Sequence, residues 1–133
     1  MDMTASAHAA ALWAGLHLLL LLVLSVLVVR QRRLHHVALG DGGVPALNHA
    51  IRAFGNATEY VPAGLIGIAV LAFAGAPPMV VHVVGLTLFA GRVAHAVGLS
   101  RSGDASLPRS LGVVLTWLAY LAGAVALLFY AIP

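Results

Sequence analysis

The sequence predicts an all-α integral membrane protein, a bundle of four transmembrane helices. Hydrophobic residues make up 62% of the 133 positions and charged residues only 8%, whereas a soluble domain is about 45–50% apolar. The apolar residues also form four runs, each close to the roughly 20 residues that cross a bilayer. We therefore expect a single membrane domain over residues 1–133, without a separate soluble domain. Its spans are predicted at about 9–33, 46–74, 79–99 and 107–132.

The absence of cysteine and the positions of the arginines exclude several functional classes. Cysteine is absent, which excludes disulfides, thiolate metal sites and a cysteine nucleophile. The net charge of +3 comes from arginines that mostly border the apolar runs, with no lysine. This placement indicates membrane topology and contact with lipid headgroups rather than nucleic-acid binding.

The first apolar run, residues 9–29, is predicted to be a retained span. It is too long for the core of a signal peptide, and the preceding segment has no Arg or Lys. The helix is expected to leave the membrane at Arg30-Gln31-Arg32-Arg33. Within the run, His17 is interpreted as a bundle-facing or interfacial side chain. The pair His35-His36 does not indicate metal, because adjacent residues diverge around a helix, and we expect no metal site.

The second span carries the most unusual polar pattern. A loop rich in Gly, Asp and Pro is predicted at 39–45, and the helix that follows places Arg52, Asn56 and Glu59 at i, i+4 and i+7, on one face. Ionised groups within a membrane helix cost about 2.5–3.5 kcal/mol each at its centre. Such groups persist when they pair inside a bundle or bind a ligand. Pro62 is expected to kink the helix beside them.

The third and fourth spans bring further polar groups. After a tight turn at 75–78, the third helix places Arg92 and His95 at i and i+3, and a loop is predicted at 100–105. The fourth helix is predicted to begin with Ser106 as N-cap and Pro108 in the first turn. That turn also contains Arg109 and Ser110, where free backbone N–H groups and the helix dipole favour an anion.

The arginines predict the orientation. The segments after the first and third spans carry arginines, whereas the two termini and the turn at 75–78 carry no Arg or Lys. The positive-inside rule therefore places both arginine-bearing loops in the cytoplasm and both termini outside. In a bacterium the membrane would be the inner one. Three arginines then lie at similar depth on three helices: Arg52, Arg92 and Arg109.

Three interpretations of this polar group remain open on the residues alone. Arginine forks with a carboxylate, an imidazole and an amide suit an anionic ligand that also carries an amine. Alternatively, Arg52 and Glu59 form an ion pair with Arg92 that only locks the bundle, and Arg109 and Ser110 are simply interfacial. A small transporter or channel is the third class, although it predicts polar groups through the full membrane depth.

The motifs also resemble a known family. The pattern Arg52-x-x-x-Asn56-x-x-Glu59-x-x-Pro62 before an apolar run is similar to the signature of the MAPEG family, membrane-associated proteins in eicosanoid and glutathione metabolism. The segment Gly91–Val97 resembles the third helix of the family's prostaglandin E synthase branch. Pro108-Arg109-Ser110 and Arg30-x-Arg32-Arg33 are similar to two further segments of it. The resemblance covers nearly the whole chain, in the family's helix order.

The resemblance implies a homotrimer that binds glutathione between subunits and acts on lipophilic electrophiles as a transferase or peroxidase, without metal. It further implies that Arg109 stabilises the glutathione thiolate, that Ser110 lies beside the sulfur, and that Arg52 braces the helices. Membrane lipids and a lipophilic small-molecule substrate are the other implied partners. The glutathione contacts implied are Arg30, Asn56, Glu59, Arg92 and His95.

Three positions depart from that branch. Gly55 stands where it has a glutathione-contacting arginine, and Leu99 and Val113 stand where it has tyrosines. These departures favour an alternative function, a non-catalytic lipid-binding or accessory protein of the same fold.

Overall fold

A computed structural model describes residues 3–101 and 104–132, and these residues form four α-helices. The helices are α1 (Met3–His35), α2 (Pro45–Phe73), α3 (Pro78–Arg101) and α4 (Leu107–Ala131). At 1.5 Å per residue even the shortest, α3 with 24 residues, is about 36 Å long, enough to cross a hydrocarbon core of about 30 Å. All four are apolar enough to span a membrane. The predicted all-α, multi-pass membrane fold is confirmed.

The predicted boundaries differ from the observed ones mainly in α1. This helix begins at Met3 rather than at residue 9, because the small residues that precede the apolar run are themselves helical. Helix α3 continues to Arg101, so the loop predicted at 100–105 begins later than expected. Residues 102 and 103 of that loop lie outside the described residues. The N-cap predicted at Ser106 is confirmed by its extended backbone, although its hydroxyl makes no capping bond.

Helices α2 and α3 form the centre of the bundle. Each of them packs against the three other helices, whereas α1 and α4 do not touch within the described ranges. We call the end that carries the α1–α2 and α3–α4 loops the arginine end. Both α2 and α3 can therefore contribute to a site with α4 at that end, while α1 covers their other side.

Glycines allow α3 and α4 to approach closely. A Cβ atom added at Gly112 would clash with the backbone nitrogen of His95, and one added at Gly98 would lie 2.6 Å from the backbone nitrogen of Arg109. A Cβ at Gly91 would lie 3.0 Å from the carbonyl oxygen of Gly112. The absence of side chains at these positions brings the two helices together along the arginine half of the bundle.

A seam of aromatic and polar side chains joins α1 to α3. The indole Nε1–H of Trp13 donates to Nδ1 of His82 (3.2 Å), and the indole covers Gly85, where any Cβ would clash with it. His17 is fully buried, donates from Nδ1 to the Trp13 carbonyl oxygen (2.7 Å) and packs edge-on against Phe89. The bundle-facing position predicted for His17 is confirmed.

The loop between α1 and α2 is folded by local hydrogen bonds. His36 adopts a positive φ of 54°, and the N–H of Val37 donates back to the Arg32 carbonyl oxygen (3.1 Å), which is a Schellman termination. The Asp41 carboxylate accepts the N–H of Gly43 (3.0 Å) and the side-chain amide of Asn48 (2.6 Å). These bonds hold the pKa of Asp41 below its ordinary value, the Gly43 N–H being the larger cause.

We predict that Gly112→Ala lowers the stability of the bundle by about 1–3 kcal/mol, the usual cost of overpacking. The added methyl group would meet the backbone of α3, which cannot rotate away. Gly15→Ala is the matched control, because a Cβ there meets nothing within 4 Å. The measurement is reversible unfolding in mixed micelles, and equal stability of the two variants would contradict the close approach.

A second prediction concerns pH. Because the folded-state pKa of Asp41 is lowered, its contribution to the loop is complete above the unfolded-state pKa of about 3.9 and is lost as the pH falls through the lower folded-state value. The amide of Gly43 should therefore exchange hydrogen more slowly in the wild type than in Asp41→Asn at neutral pH. The two rates should converge in strong acid. A ratio of the two rates that does not change with pH would contradict this assignment.

Candidate functional site

The side chain of Arg92 lies at the centre of the polar contacts between α2, α3 and α4. It is only 2% exposed, although arginine is almost never buried without partners. Its Nε–H donates to Oγ1 of Thr116 (2.8 Å) and one Nη1–H donates to Oδ1 of Asn56 (2.7 Å). Nη2 donates to the Gly112 carbonyl oxygen (3.3 Å). One guanidinium thus connects three helices.

Two tyrosines complete this group. The Arg92 guanidinium carbon lies 4.8 Å from the centre of the Tyr60 ring, within cation–π distance. The Tyr120 hydroxyl donates to the backbone carbonyl oxygen of Tyr60, and the two rings are 6.1 Å apart. We refer to Asn56, Tyr60, Arg92, Thr116 and Tyr120 as the Arg92 cluster.

Helical spacing explains how the chain assembles the cluster. Asn56 and Tyr60 are four residues apart on α2, and Thr116 and Tyr120 are four apart on α4, so each pair shares a face. Counted at 1.5 Å per residue from the arginine end of each helix, Asn56, Arg92 and Thr116 lie at depths of about 14–17 Å. The cluster therefore lies well inside the membrane-spanning part of the bundle.

The charge of Arg92 is not balanced by a buried acid. The structure describes three acidic residues, Asp41, Glu59 and Asp104, and none of them is buried. The partners of the guanidinium are a hydroxyl, an amide oxygen, a carbonyl oxygen and an aromatic face. Among the described residues these bonds use three of its five N–H groups. The remaining two N–H groups make no hydrogen bond within the described residues, and the positive charge stays unneutralised there.

His95 and Arg109 continue from the cluster toward the arginine end. His95 is buried one turn after Arg92, at the close contact of α3 with Gly112. Arg109 is half-buried in the first turn of α4, level with Gly98 of α3. Its backbone therefore lies about 9 Å nearer the arginine end than Arg92, and the similar depth predicted for these two arginines is wrong. The structure thus brings four predicted residues to the contacts that α3 makes with α2 or α4: Asn56, Arg92, His95 and Arg109.

The other predicted residues face outward from the single chain. Glu59 and Arg52 lie on the exposed face of α2, and Arg30 and Ser110 are exposed on α1 and α4. The ion pair of Arg92 with Glu59, considered from the sequence, is not formed, because the described partners of Arg92 are all neutral.

Pro62 is also exposed on α2, and this helix continues through it without a break.

For a metal, the described residues offer no group of three His, Cys, Asp or Glu side chains close enough to hold an ion.

Three members of the cluster are not predicted from the sequence. They are Thr116, Tyr60 and Tyr120. Threonine and tyrosine are common in membrane helices, where they face lipid or a neighbouring helix, so none of the three indicates a site by itself. The available signal is a four-residue spacing: Tyr60 follows Asn56 by four, and Gly112, Thr116 and Tyr120 repeat every four residues. This spacing repeats one face on each helix.

Comparison with known proteins agrees with this architecture. The MAPEG family matches residues 10–129, almost the whole chain, and the protein belongs to this family. Its curated relatives include the inner membrane protein YecN from Escherichia coli K12, which is 40% identical over 120 residues, covering 90% of each chain. YecN from Escherichia coli O6:H1, strain CFT073, matches with the same identity and coverage.

The cluster predicts a specific cost for losing the Thr116 hydroxyl. Thr116→Val keeps the shape of the side chain but leaves the Arg92 Nε–H without its acceptor, which should destabilise the bundle by about 1–3 kcal/mol. Thr116→Ser should retain most of the stability. Thr87→Val is the matched control, because among the described residues the Thr87 hydroxyl donates to the Val83 carbonyl oxygen of its own helix and not to another helix. If Thr116→Val and Thr87→Val unfold at the same denaturant concentration, the hydrogen bond from Arg92 to Thr116 does not stabilise the bundle.

Proposed function

We propose that this protein is a glutathione-dependent membrane enzyme, a transferase or peroxidase that acts on lipophilic electrophiles. The observation that carries the proposal is the buried Arg92 guanidinium, which has only neutral partners among the described residues and N–H groups left to donate. A buried cation of this kind is costly unless an anion joins it. Membership of the MAPEG family supports glutathione as that anion.

The residues suit the different groups of glutathione. Arg92, with its planar fork, binds a carboxylate, and Asn56 and His95 hydrogen-bond to the peptide. Glu59 accepts from the ammonium group, and Arg30 adds a second positive charge. We also propose that the protein is related to the prostaglandin E synthase branch of the family, which it resembles most in the segment Gly91–Val97.

Arg109 and the start of α4 stabilise the thiolate. The first turn of a helix presents free N–H groups and a positive dipole end, and Arg109 adds a full charge there. Both lower the pKa of a bound thiol and raise the fraction of thiolate, and the exposed Ser110 lies beside the sulfur. Arg109 is therefore the proposed catalytic residue, with Ser110 as its neighbour.

The chemistry follows from that thiolate. The sulfur attacks an electrophilic carbon, forms the carbon–sulfur bond and expels the leaving group with its electron pair. With a lipid hydroperoxide, the sulfur attacks the terminal oxygen and the alcohol leaves. The resulting glutathione sulfenic acid is reduced by a second glutathione to the disulfide and water.

We further propose that the protein is a homotrimer with the site between subunits. Glu59 lies about 21 Å along α2 from its first residue, on the exposed face of a membrane helix, where lipid contact is expensive. Arg52 shares this face. A second copy that packs there would shield both charges and bring Arg30 or Ser110 to the ligand, with Arg52 bracing the helices.

The proposed location is an inner membrane, as in the name of YecN, with both arginine-bearing loops in the cytoplasm. The positive-inside rule gives this orientation. It also places Arg109, in the first turn of α4, on the side of the compartment whose glutathione pool is kept reduced.

A second candidate function is a lipid-binding or accessory member of the same fold. Its supporting observation is Leu99, which is buried in an apolar cluster with Leu24 and Ala96, where the synthase branch has a site tyrosine. Gly55 and Val113 likewise remove polar groups that this branch uses. Such a protein would occupy the Arg92 cluster with a lipid headgroup and form no thiolate.

Titration of glutathione into the purified protein, followed by thiolate absorbance, distinguishes the two functions. We expect saturable thiolate formation that Arg109→Ala abolishes. Arg101→Ala should leave it unchanged, because Arg101 is exposed at the end of α3, away from the Arg92 cluster. Failure to bind at millimolar glutathione would overturn the transferase proposal and favour the accessory function.

A gain-of-function variant tests the assignment of the ligand. A Cβ at Gly55 meets nothing within 4 Å, so Gly55→Arg should fold and add a cation one residue before Asn56. We expect it to tighten glutathione binding roughly tenfold, since hydrogen bonds to charged groups are worth about 1.5–3 kcal/mol. Gly55→Gln is the matched control, because it adds a long polar side chain at the same position without the positive charge. Unchanged affinity in Gly55→Arg would contradict the proposed pose.

A further inference from the structure

Trp117 of α4 is an exposed tryptophan in the middle of the membrane. Its side chain is 61% exposed and lies about 15 Å from the first residue of α4, halfway through a hydrocarbon core of about 30 Å. Tryptophan in membrane proteins is enriched at the two interfaces instead. Within the described ranges its indole N–H donates to no acceptor, and lipid chains offer none, so the position costs free energy. This side chain therefore indicates a protein partner within the membrane.

A groove around Gly15 of α1 complements this side chain. A Cβ added at Gly15 meets nothing within 4 Å, and α1 is the least buried of the four spans. The missing side chain leaves the backbone of α1 accessible, where each helical carbonyl oxygen keeps a second lone pair. An aromatic ring can fill this groove while its N–H donates to that backbone. We call the groove the Gly15 notch, and its rims are Ala11, Leu12, Leu18, Leu19 and Leu22.

The tryptophan and the notch lie at a similar depth. The indole of Trp13 covers Gly85 of α3, so Gly15 is level with the second residue after Gly85 on this parallel helix. A Cβ at Gly91 would lie 3.0 Å from the backbone nitrogen of Thr116, which places the next residue of α4 level with the one before Gly91. These two levels are about 5 Å apart, less than one helical turn. Rotation about the membrane normal preserves depth, so copies in one ring can bring the two features into contact.

The tryptophan and the notch lie on different sides of the subunit. Helices α1 and α4 do not touch within the described ranges, so a subunit cannot fill its own notch. Trp117 shares a face of α4 with Ala124, seven residues later, which lines a cavity between α2, α3 and α4 and is exposed. On α2, Ala63 borders the same cavity, and Glu59 lies one turn before it on one face. A partner helix that packs on Trp117 therefore continues over the charged face of α2.

We propose that Trp117 of one subunit inserts into the Gly15 notch of the partner subunit and donates its indole N–H to the backbone of α1 there. The inference rests on the proposed homotrimer, for which it identifies the two surfaces that meet. Because these surfaces differ, the interface is head-to-tail and closes into a ring. The partner's α1 then runs toward the arginine end, past the level of Arg109, to its own Arg30, about 22 Å beyond the notch. The partner thus completes that end of the glutathione site.

Cysteine cross-linking of the full-length protein in liposomes tests this contact, because the chain has no cysteine of its own. The double variant Gly15→Cys/Trp117→Cys is treated with a bifunctional methanethiosulfonate whose spacer has the length of an indole side chain. We expect covalent dimers and trimers on a denaturing gel and no larger species, because three head-to-tail contacts close the ring. Reduction should return the monomer.

Gly15→Cys/Leu118→Cys is the matched control. Leu118 follows Trp117 directly, at almost the same depth, and is 50% exposed. It lines a groove beside Val80 of α3 instead, on another face of α4, so this pair should not cross-link. Equal cross-linking of the two pairs would overturn the proposal. Dimers of the single variant Trp117→Cys would show contact between identical surfaces and overturn the head-to-tail interface.

Filling the notch provides an independent test. Gly15→Leu should fold, because its side chain meets nothing in its own subunit, and circular dichroism verifies the helix content. We expect its trimer to dissociate at a roughly tenfold higher protein concentration in detergent, since the indole loses its buried surface. Gly15→Ala is the matched control, because one methyl group leaves the notch open. Light scattering measures the mass, and equal trimer stability of Gly15→Leu and the wild type would overturn the proposal.

The outcomes separate this proposal from the glutathione proposal, because neither cross-linking nor mass requires glutathione. Cross-linking as expected without any glutathione binding would overturn the enzyme and support the interface. A wild-type trimer whose double variant does not cross-link would overturn the interface even if thiolate forms. A monomeric wild type would overturn both the interface and the homotrimer, and leave the thiolate titration to decide the enzyme.

Discussion

The bundle depends on a buried positive charge held by neutral groups. Arg92 joins α2 to α4 through Asn56 and Thr116 and rests on the ring of Tyr60. In a low-dielectric interior these hydrogen bonds are strong, but they do not neutralise the guanidinium. The same side chain therefore stabilises the fold and leaves a site of positive potential inside the membrane, where an anionic ligand gains most.

Small residues determine where that site can form. Gly112 and Gly98 bring α3 and α4 together near the arginine end, whereas Gly64, Gly67 and Gly123 line a cavity beyond Tyr120. Glycine thus has two opposite effects along the same helices, close packing around the polar site and a cavity next to it.

Hydropathy and motif spacing predict most of the fold and part of the site. Four apolar runs were enough for the helices, because crossing a bilayer leaves few alternatives to a helix, and Arg92 and Asn56 stood out as costly polar residues in such runs. Thr116 did not, since a threonine is tolerated almost anywhere in a membrane helix. The outward position of Glu59 was also unexpected. Spacing gives the face of a helix, whereas only packing shows whether that face meets its own bundle or another subunit.

The most direct test of the central claim observes the Arg92 guanidinium itself. Nitrogen-15 NMR of the arginine side chains in nanodiscs, with the Arg92 signal assigned through Arg92→Lys, reports on its hydrogen bonds. Reduced glutathione should shift this signal saturably, because an anion takes up the remaining N–H groups, while the signal of Arg101 stays unchanged. An Arg92 signal that does not respond at saturating glutathione, in a sample that is folded, would contradict the claim that this charge is a glutathione site.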